Sequence, residues 1–431
     1  MLVDFTVKNY RSFKDERTFS MEACSMERHE QSVHEQSVIN EGEHRLLPLA
    51  ILYGANSSGK SNLIRAIRVM KEMVKRSVQL NEDDLLPYDP FTLDKTTVSQ
   101  PTLFEIRFIR ERAVYRYGFE YNRNEIISEW LYEKPFEEKE EHELFERSGD
   151  VIEVLSENFP EGEGKENLAN KNRLFLSLVA QLKGEKSNSI IGWFRKCYVL
   201  SGVDSEGYED FTHKMFLEHL DGADEAQDFF KELQLGFNTF SAKKVNLSKE
   251  AVDNLPYSLG IPKEVLKILP NLRSRLEKGA ILELKTFHNI YDESGRIVRE
   301  QDFHMDKMES EGTKKVIKIS GPIFDSLNKG NVLIIDELDA KLHPLLTRNI
   351  VLLFMDLNKN NKAQLIFATH DTNLLDLALV RRDQIWFTEK DRVEATDVYS
   401  LVQFKNDDEG HRDVRRDYIR GRYGAVPFIG K

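Results

Sequence analysis

A glycine-rich segment after an apolar run holds the residues best suited to bind phosphate. It begins at Gly54, and four residues separate this glycine from Gly59-Lys60-Ser61. Glycines let backbone N–H groups turn inward around phosphate oxygens, and the positive end of a following helix adds to that effect. Lys60 is expected to neutralise the β- and γ-phosphates, and Ser61 to ligate Mg²⁺. The predicted ATP-binding residues are Gly54, Ala55, Asn56, Ser57, Ser58, Gly59, Lys60, Ser61 and Asn62.

Two acidic residues at the end of the apolar run NVLIID supply a second element. Asp336 ends the run, and Glu337 follows it directly. Asp336 is expected to hold Mg²⁺, directly or through water, while Glu337 orients the attacking water and accepts its proton. The alternative is a helix N-terminus that begins with acidic residues.

Two further segments hold candidates for contacts to a terminal phosphate. His370 follows the apolar run AQLIFAT, and there it could donate a hydrogen bond to the γ-phosphate and report its presence. Ser310, Gly312 and Thr313 lie about twenty residues before NVLIID. Their pattern is typical of a helix start rich in N–H groups, which suits a phosphate. The alternatives are a surface histidine and an ordinary helix start capped by serine.

Hydrophobic periodicity predicts the elements that must position these residues. Short apolar runs at 47–54, 331–336, 363–370 and 383–389 are separated by helix-length segments. This alternation indicates an α/β fold with a mostly parallel sheet covered by helices. An apolar stripe at helical spacing follows the glycine-rich segment, and it consists of Leu63, Ile67, Met70 and Val74.

The rest of the chain divides by composition into three predicted regions. Residues 1–125 are predicted to form the first lobe, in which 101–122 alternate in two arms as a β-hairpin with its turn near Glu111-Arg112. Residues 126–280 are predicted to be an acidic and mainly helical insertion. Residues 281–431 return to alternation and contain the second lobe with a basic C-terminal tail.

Composition excludes several classes of protein. The chain has 431 residues, 40% of them hydrophobic and 31% charged, which is typical of a globular protein. The sequence contains no apolar run of about eighteen residues and no signal-peptide pattern, and two cysteines cannot form a disulfide framework. We therefore expect a cytoplasmic protein without a membrane partner. The net charge of −12 disfavours broad adhesion to nucleic acid but leaves room for a local basic patch.

The order of the motifs NYRSF, GANSSGKS, SEGT, LIIDELD and ATHD resembles that of the ATP-binding-cassette heads of the RecF, SMC and OLD group. The resemblance covers roughly residues 1–125 and 280–400. It implies a P-loop NTPase of the ABC type with a mixed β-sheet and an inserted, mainly helical lid. It also implies ATP and Mg²⁺ as cofactors and ATP hydrolysis as the activity.

The same resemblance assigns further roles. Ser310 and Gly312 would form a signature motif that completes the site of a neighbouring subunit, so that hydrolysis requires a homodimer or a higher homo-oligomer. Asp339 would lie in the D-loop that joins the two sites, and Arg11 would lie near the nucleotide. The alternative for Arg11 is a surface arginine at a strand end. Gln79 and Gln100 are candidates for the Q-loop glutamine by their position in the sequence alone.

The C-terminal tail HRDVRRDYIRGRYGAVPFIGK resembles that of the RloA-type ATPases, which are linked to phage defence and paired with a small effector protein. Helical spacing puts its arginines on one face, and they are Arg412, Arg415, Arg416 and Arg420. This face could bind nucleic-acid phosphates, an acidic partner or the acidic insertion of the same chain.

Three functions follow as hypotheses. The first is an ATP-dependent sensor or switch in anti-phage defence that acts on an effector encoded nearby, either RloB-type or nuclease-like. The second is a RecF-like repair ATPase that acts directly on DNA. The third is a scaffold that binds ATP with little turnover, and the intact Asp336-Glu337 pair argues against it.

Overall fold

The computed structural model describes residues 1–25, 37–204, 208–246, 280–404 and 413–427. The chain divides into two compact units. The first unit contains Met1–Asp204 and Ser326–Lys431, and the second contains Ser205–Asp325. Strands and helices are numbered below in chain order over the described residues.

The first unit contains a seven-stranded antiparallel sheet with the strand order β10-β9-β8-β7-β6-β1-β2. Its strands are β1 (Leu2–Lys8), β2 (Arg17–Ser20), β6 (Thr102–Arg110), β7 (Ala113–Tyr121), β8 (Ile126–Pro135), β9 (His142–Ser148) and β10 (Val151–Val154). The predicted hairpin is confirmed as β6 and β7, and Glu111 and Arg112 form its turn with positive φ values of 50° and 63°.

This sheet continues into the predicted insertion. Residues 126–154 were predicted to begin a mainly helical segment, and the structure places them in β8, β9 and β10. They form strands that place Ile126, Leu131 and Phe145 in the apolar core, while acids such as Glu143 and Glu146 keep contact with solvent. Glu129 is an exception, because it is fully buried and accepts a hydrogen bond from Tyr117 Oη. Acidic composition obscured these strands.

A six-stranded sheet of the first unit has the order β11-β15-β16-β5-β17-β18. Its strands are β5 (Leu49–Tyr53), β11 (Cys197–Ser201), β15 (Val332–Asp336), β16 (Gln364–Ala368), β17 (Ile385–Lys390) and β18 (Thr396–Ser400). All neighbours are parallel except β17 and β18. The predicted α/β class with a mixed sheet is confirmed. The carboxyl ends of β5, β11, β15 and β16 lie at one edge, which positions the residues that follow them.

Helices and a small hairpin complete the first unit. They are β3 (Ile39–Glu41), β4 (His44–Leu46), α1 (Lys60–Arg76), α2 (Phe175–Gln181), α3 (Glu185–Lys196), α8 (Pro344–Met355) and α9 (Val414–Ile419). The predicted stripe of α1 is buried, and it packs with α2, α3 and residues of both larger sheets in one apolar core. Burial of this stripe, more than helix propensity, stabilises α1.

The second unit combines helices with a three-stranded antiparallel sheet in the order β12-β13-β14. Its elements are α4 (Glu209–Leu217), α5 (Ala223–Glu232), β12 (Thr239–Asn246), β13 (Ala280–Tyr291), β14 (Ile297–His304), α6 (Met305–Met308) and α7 (Glu311–Lys329). The last residues of α7 belong to the first unit. The predicted insertion over 126–280 was expected to be mainly helical; β11 and β12 also interrupt its helices, and 247–279 lie outside the described residues. In the described part of the chain, no helix has the length and apolarity needed to cross a membrane.

Candidate nucleotide-binding site

The glycine-rich loop connects the buried strand β5 to helix α1. Gly59 adopts a φ of 120°, which only glycine tolerates readily, and Ser57 has a φ of 64°. These values turn the backbone sharply before Lys60, the first residue of α1. The loop therefore has the strand–loop–helix setting that a phosphate-binding loop requires.

Lys60 folds back onto the loop that it follows. Its Nζ donates hydrogen bonds to the carbonyl oxygens of Gly54 at 2.7 Å and Ala55 at 3.1 Å. Burial lowers the pKa of Lys60 to about 8, although the carboxylates of Asp336, Glu337 and Asp339 oppose this change. A buried cation that hydrogen-bonds only to neutral groups is poorly compensated, so an anion at the loop would gain from pairing with it.

The structure adds supporting residues that the sequence patterns did not indicate. Thr388 Oγ1 lies 2.6 Å from Ser58 Oγ, and Thr396 Oγ1 donates to the carbonyl oxygen of Ser58 at 2.9 Å. A Cβ at Gly54 would lie 2.5 Å from Thr388 Oγ1, and one at Gly59 would lie 2.4 Å from Thr396. Strands β17 and β18 therefore pack directly against the loop and fix its conformation.

Arg11 lies beside the start of helix α1. Its Nη1 donates to Asn62 Oδ1 at 3.2 Å, while Nε pairs with Asp89 Oδ2 at 2.6 Å. Asn62 in turn donates to Ser12 Oγ at 2.8 Å, and Thr396 Oγ1 lies 2.8 Å from the same atom. The NYRSF segment is thus connected to the glycine-rich loop through side chains. The role of Arg11 at a nucleotide stays a prediction.

Asp336 ends β15 at the edge to which the loop belongs. Its Oδ1 is buried and has no hydrogen-bond partner among the described residues. An unsatisfied buried carboxylate oxygen is costly, so a cation is its natural partner. The residue lies directly opposite Ser201 of β11, and Gly202 N–H donates to the carbonyl oxygen of Asp336 at 2.6 Å.

Glu337 is held in an unusual backbone conformation. Its φ is 56°, in the left-handed region that non-glycine residues rarely adopt. The carbonyl oxygen of Glu337 accepts from Ala340 N–H at 3.2 Å, and Leu338 N–H donates to the carbonyl oxygen of Ala368 at 3.2 Å. The turn after β15 is therefore attached to the end of β16. Strain of this kind is concentrated at functional sites.

Gly202 is a further residue that the sequence patterns missed. A Cβ at this position would lie 2.1 Å from the carbonyl oxygen of Glu337 and 2.8 Å from that of Asp336. Both obstacles are backbone atoms, which cannot move aside cheaply. Only glycine therefore allows β11 to pass this close to the Asp336-Glu337 peptide. No local signal in the sequence SGVD could have revealed this requirement.

His370 and Asp339 meet at the same edge. The backbone N–H of His370 donates to Asp339 Oδ2 at 3.3 Å. Partial burial and the Lys60 charge lower the pKa of His370, and the carboxylates of Asp339, Glu337 and Asp336 act against them. The imidazole is therefore neutral at pH 7 and carries one N–H available as a donor.

The donor set fits a magnesium ion held together with a nucleotide. Mg²⁺ in such sites takes one or two protein oxygens, and phosphates and waters supply the rest. Asp336 offers the buried oxygen described above, and Ser61 is exposed in the first turn of α1. Lys60 and the N-terminal end of α1 supply positive charge for the phosphates.

Ser310 belongs to the second unit and caps helix α7. Its Oγ accepts from Thr313 N–H at 3.1 Å and lies 2.9 Å from Thr313 Oγ1, while its carbonyl oxygen accepts from Lys314 N–H. The side chain is exposed. An exposed serine that caps a helix fits both the predicted signature role and an ordinary helix start.

Neither glutamine considered for the Q-loop has a defined role. Gln79 lies beyond the carboxyl end of α1, whose 17 residues separate it from Lys60 by about 25 Å. Gln100 lies before β6, and its carbonyl oxygen accepts from Asn9 Nδ2 at 2.7 Å. The residue opposite Asp336 on the neighbouring strand β11 is Ser201, the last residue of that strand.

The fold and the site define a P-loop ATPase of the α/β class. A family model described as "AAA domain, putative AbiEii toxin, Type IV TA system" matches residues 49–376, and the chain belongs to this family. The match includes the glycine-rich loop, the Asp336-Glu337 pair and His370. No curated protein matches this sequence.

Two solved structures are similar to the chain along most of their length. One is the SMC head bound to the C-winged helix domain of ScpA, with 13% identity and a TM-score of 0.44 over 93% of this chain and 97% of that one. The other is the SMC head domain from Thermotoga maritima, with 12% identity and a TM-score of 0.41 over 93% of this chain and 98% of that one.

Proposed function

We propose that this protein is a cytoplasmic, Mg²⁺-dependent ATPase whose heads dimerise through shared ATP sites and switch a partner effector in prokaryotic anti-phage defence. The observation that carries the proposal is the meeting of Lys60, Asp336, Glu337 and His370 at one sheet edge. A loop that only binds phosphate would need Lys60 alone among these four residues. The acids and the histidine add the groups that hydrolysis requires.

Each residue has a distinct chemical role in this proposal. Mg²⁺, bound through Asp336 and Ser61, would offset phosphate charge. Lys60 leaves the loop carbonyls and pairs with the β- and γ-phosphates. Glu337 orients the water in line with the γ-phosphate and accepts its proton. His370 donates a hydrogen bond to a γ-phosphate oxygen through the N–H that even its neutral imidazole carries.

Dimerisation enters through the Ser310 segment. The N-terminal end of α7 would suit a γ-phosphate, and the resemblance to ATP-binding-cassette heads assigns that phosphate to a neighbouring subunit. Asp339, which accepts from His370 N–H, has the place of the D-loop in the same scheme. ATP then acts as a clamp between two copies, and hydrolysis opens the clamp.

The description of the matching family bears on the effector and the defence role. The description of the family names a toxin of a type IV toxin–antitoxin system, and such a system consists of two paired components. That setting agrees with a head that controls a partner, RloB-type or nuclease-like. The second candidate is a RecF-like repair ATPase, which agrees with the motif order but lacks support from the net charge of −12.

The central test is Glu337→Gln. Loss of the base should lower the hydrolysis rate by about a thousandfold while ATP still binds, because general base catalysis contributes roughly 10²–10⁴. Trapped ATP should shift the protein to a dimer in light scattering. Glu293→Gln, an exposed change in the β13–β14 turn, is the matched control and should leave both readouts unchanged. Hydrolysis by Glu337→Gln at the wild-type rate would show that the base is misassigned.

A second experiment separates the two functions. ATP hydrolysis is measured with and without duplex DNA, and with the purified product of the neighbouring reading frame. The switch reading expects the neighbour to change the rate or the dimer fraction and DNA to leave both unchanged. Strong stimulation by DNA alone, with affinity falling steeply as salt rises, would support the repair ATPase instead.

A further inference from the structure

Helix α9 presents an arginine surface that the nucleotide site does not use. Arg415, Arg416 and Arg420 are exposed and, together with Asp413 and Ile419, line an open cavity of about 370 Å³. Arg412, the fourth arginine that was predicted on this face, lies outside the described residues. The cavity lies on the side of a short helix, and its positive charge comes from side chains.

Among the described residues, the three guanidinium groups have no acidic partner. Within the described segments, none of them makes an ion pair or a side-chain hydrogen bond, although two carboxylates lie on the same turns. Asp413 instead accepts from Arg416 N–H at 3.0 Å as the helix cap. Asp417 lies 3.6 Å from Arg422 and accepts from Tyr423 Oη at 3.4 Å. The nearby acids are thus engaged elsewhere, and the chain's own acidic insertion makes no described contact with the arginines.

The opposite face of the helix fixes this surface rigidly to the first unit. Val414 and Tyr418 are buried, and the Tyr418 ring stacks on Phe387 of β17 with centroids 5.5 Å apart. The same ring lies 5.7 Å from Tyr53, the residue that precedes Gly54. Because packing fixes the helix, the arginines start from defined Cα positions, which lowers the entropy lost when a ligand orders them.

We propose that this arginine surface, formed by Arg415, Arg416, Ile419 and Arg420, binds the phosphate groups of a nucleic acid. Arginine presents a planar fork that matches phosphate oxygens, and Arg416 and Arg420 lie one helical turn apart, with Cβ atoms about 6 Å from each other. Ile419, 60% exposed between the cations, offers apolar contact to a sugar or base. A nucleic-acid strand alternates phosphates with such apolar groups, whereas an acidic peptide concentrates carboxylates.

The proposal concerns binding alone and does not depend on the switch function or on hydrolysis. The chain's net charge of −12 repels a polyanion elsewhere, so we expect contacts to only a few phosphates and a salt slope proportional to that small number. Binding of this kind gives the protein a local contact with nucleic acid without a broad basic surface.

The test uses the full chain without ATP and labelled single-stranded DNA, single-stranded RNA and duplex DNA of about 20 nucleotides, with anisotropy read across a salt series. The wild type should bind at least one of the three. Arg416→Glu with Arg420→Glu should bind at least about tenfold more weakly, and its log–log salt slope should be shallower by roughly 1.4 to 1.8. Arg416→Lys with Arg420→Lys should retain most of the slope, because charge is kept.

The matched control is Arg195→Glu with Lys196→Glu, an equal charge change at two exposed residues of α3. It should bind like the wild type. Melting temperatures verify folding, and Arg416→Gln with Arg420→Gln replaces the glutamate pair if that pair does not fold. Equal affinity of the α9 and α3 variants would overturn the proposal, as would the absence of binding by the wild type. Polyglutamate or inorganic phosphate competing as well as the oligonucleotide would also overturn it, in favour of an acidic protein or a free phosphate.

Discussion

The nucleotide-binding edge and the Ser310 segment, which are the two halves of the proposed ATP site, are built in opposite ways. At the edge, Asp336 Oδ1 has no described partner, Lys60 is a buried cation and Glu337 has a φ of 56°. In the Ser310 segment, the side chain is exposed and its cap hydrogen bonds are made within the helix start.

The difference shows which half needs a ligand. Unsatisfied charge and backbone strain at the edge lower the stability of the protein until phosphates and a cation arrive. The Ser310 cap already makes its hydrogen bonds within its own chain, so within that chain the segment acts as an ordinary helix start. A role in catalysis would therefore come from what the segment contacts on another molecule.

The largest predicted effect comes from a substitution in the Ser310 segment. Ser310→Arg places a long cation where the γ-phosphate of a second copy would approach, so hydrolysis should fall about a thousandfold. ATP affinity should stay within about twofold, because the edge supplies that binding. ATPase assays and ATP titration of the isolated chain measure the two effects.

Ser294→Arg is its control, since it makes the same substitution at an exposed turn of the second unit. This variant should hydrolyse ATP normally. If Ser310→Arg abolishes ATP binding as well, the assignment of the segment to a neighbouring subunit is wrong.

An intermediate effect is expected at the edge from Gly202→Ala. The added methyl group would meet the backbone of Glu337 and Asp336, and we expect a loss of about 2–3 kcal/mol in the free energy of unfolding from such overpacking. Displacement of Glu337 by about 1 Å should also lower kcat by roughly a hundredfold. Denaturant unfolding and steady-state kinetics measure these changes.

Gly192→Ala is the matched control, because a Cβ there meets no atom within 4 Å. It lies in helix α3, where alanine should raise stability by about 0.5–1 kcal/mol. Equal stability and activity of the two alanine variants would contradict the close approach of β11 to the Asp336-Glu337 peptide.

The smallest predicted effect concerns the charge on Lys60. Its folded-state pKa is about 8 and its ordinary value is 10.5, so between these pH values the unfolded chain binds a proton that the folded chain lacks. The contribution of Lys60 to stability therefore rises with pH across this window, by at most about 3 kcal/mol. The difference in unfolding free energy between wild type and Lys60→Met isolates this contribution.

That difference is measured by denaturant unfolding at several pH values without nucleotide. A wild-type curve parallel to that of Lys60→Met from pH 8 to 10.5 would show that the lysine is not desolvated. ATP should flatten the wild-type dependence, since phosphates stabilise the charged form, and it should not affect the variant.

Local patterns predicted the elements around the edge well. The strand before Gly54, the buried stripe of α1 and the hairpin of β6 and β7 follow from periodicity, because each pattern reports which face of one element is buried. The same reasoning missed β8 to β10, because acidic residues occur throughout these strands and one of them, Glu129, is buried among the apolar residues.

The supporting contacts of the site could not be predicted in the same way. Thr388 and Thr396 are more than 300 residues from Ser58 in the chain, and no pattern in their own segments distinguishes them from other strand threonines. Gly202 likewise is required only because a separate strand passes beside it. Such contacts depend on which strands become neighbours.

The sequence by itself determined the chemistry that is present: a loop that binds phosphate, an acidic pair after a strand and a histidine after another. These are local properties, since a glycine's permitted φ or a carboxylate's affinity for cations belongs to the residue. The tertiary structure alone decided that Asp336 Oδ1 is shielded from solvent, that Lys60 is desolvated and that α9 exposes its arginines. Burial depends on what the rest of the chain places around a residue, and only the folded arrangement of distant strands supplies that.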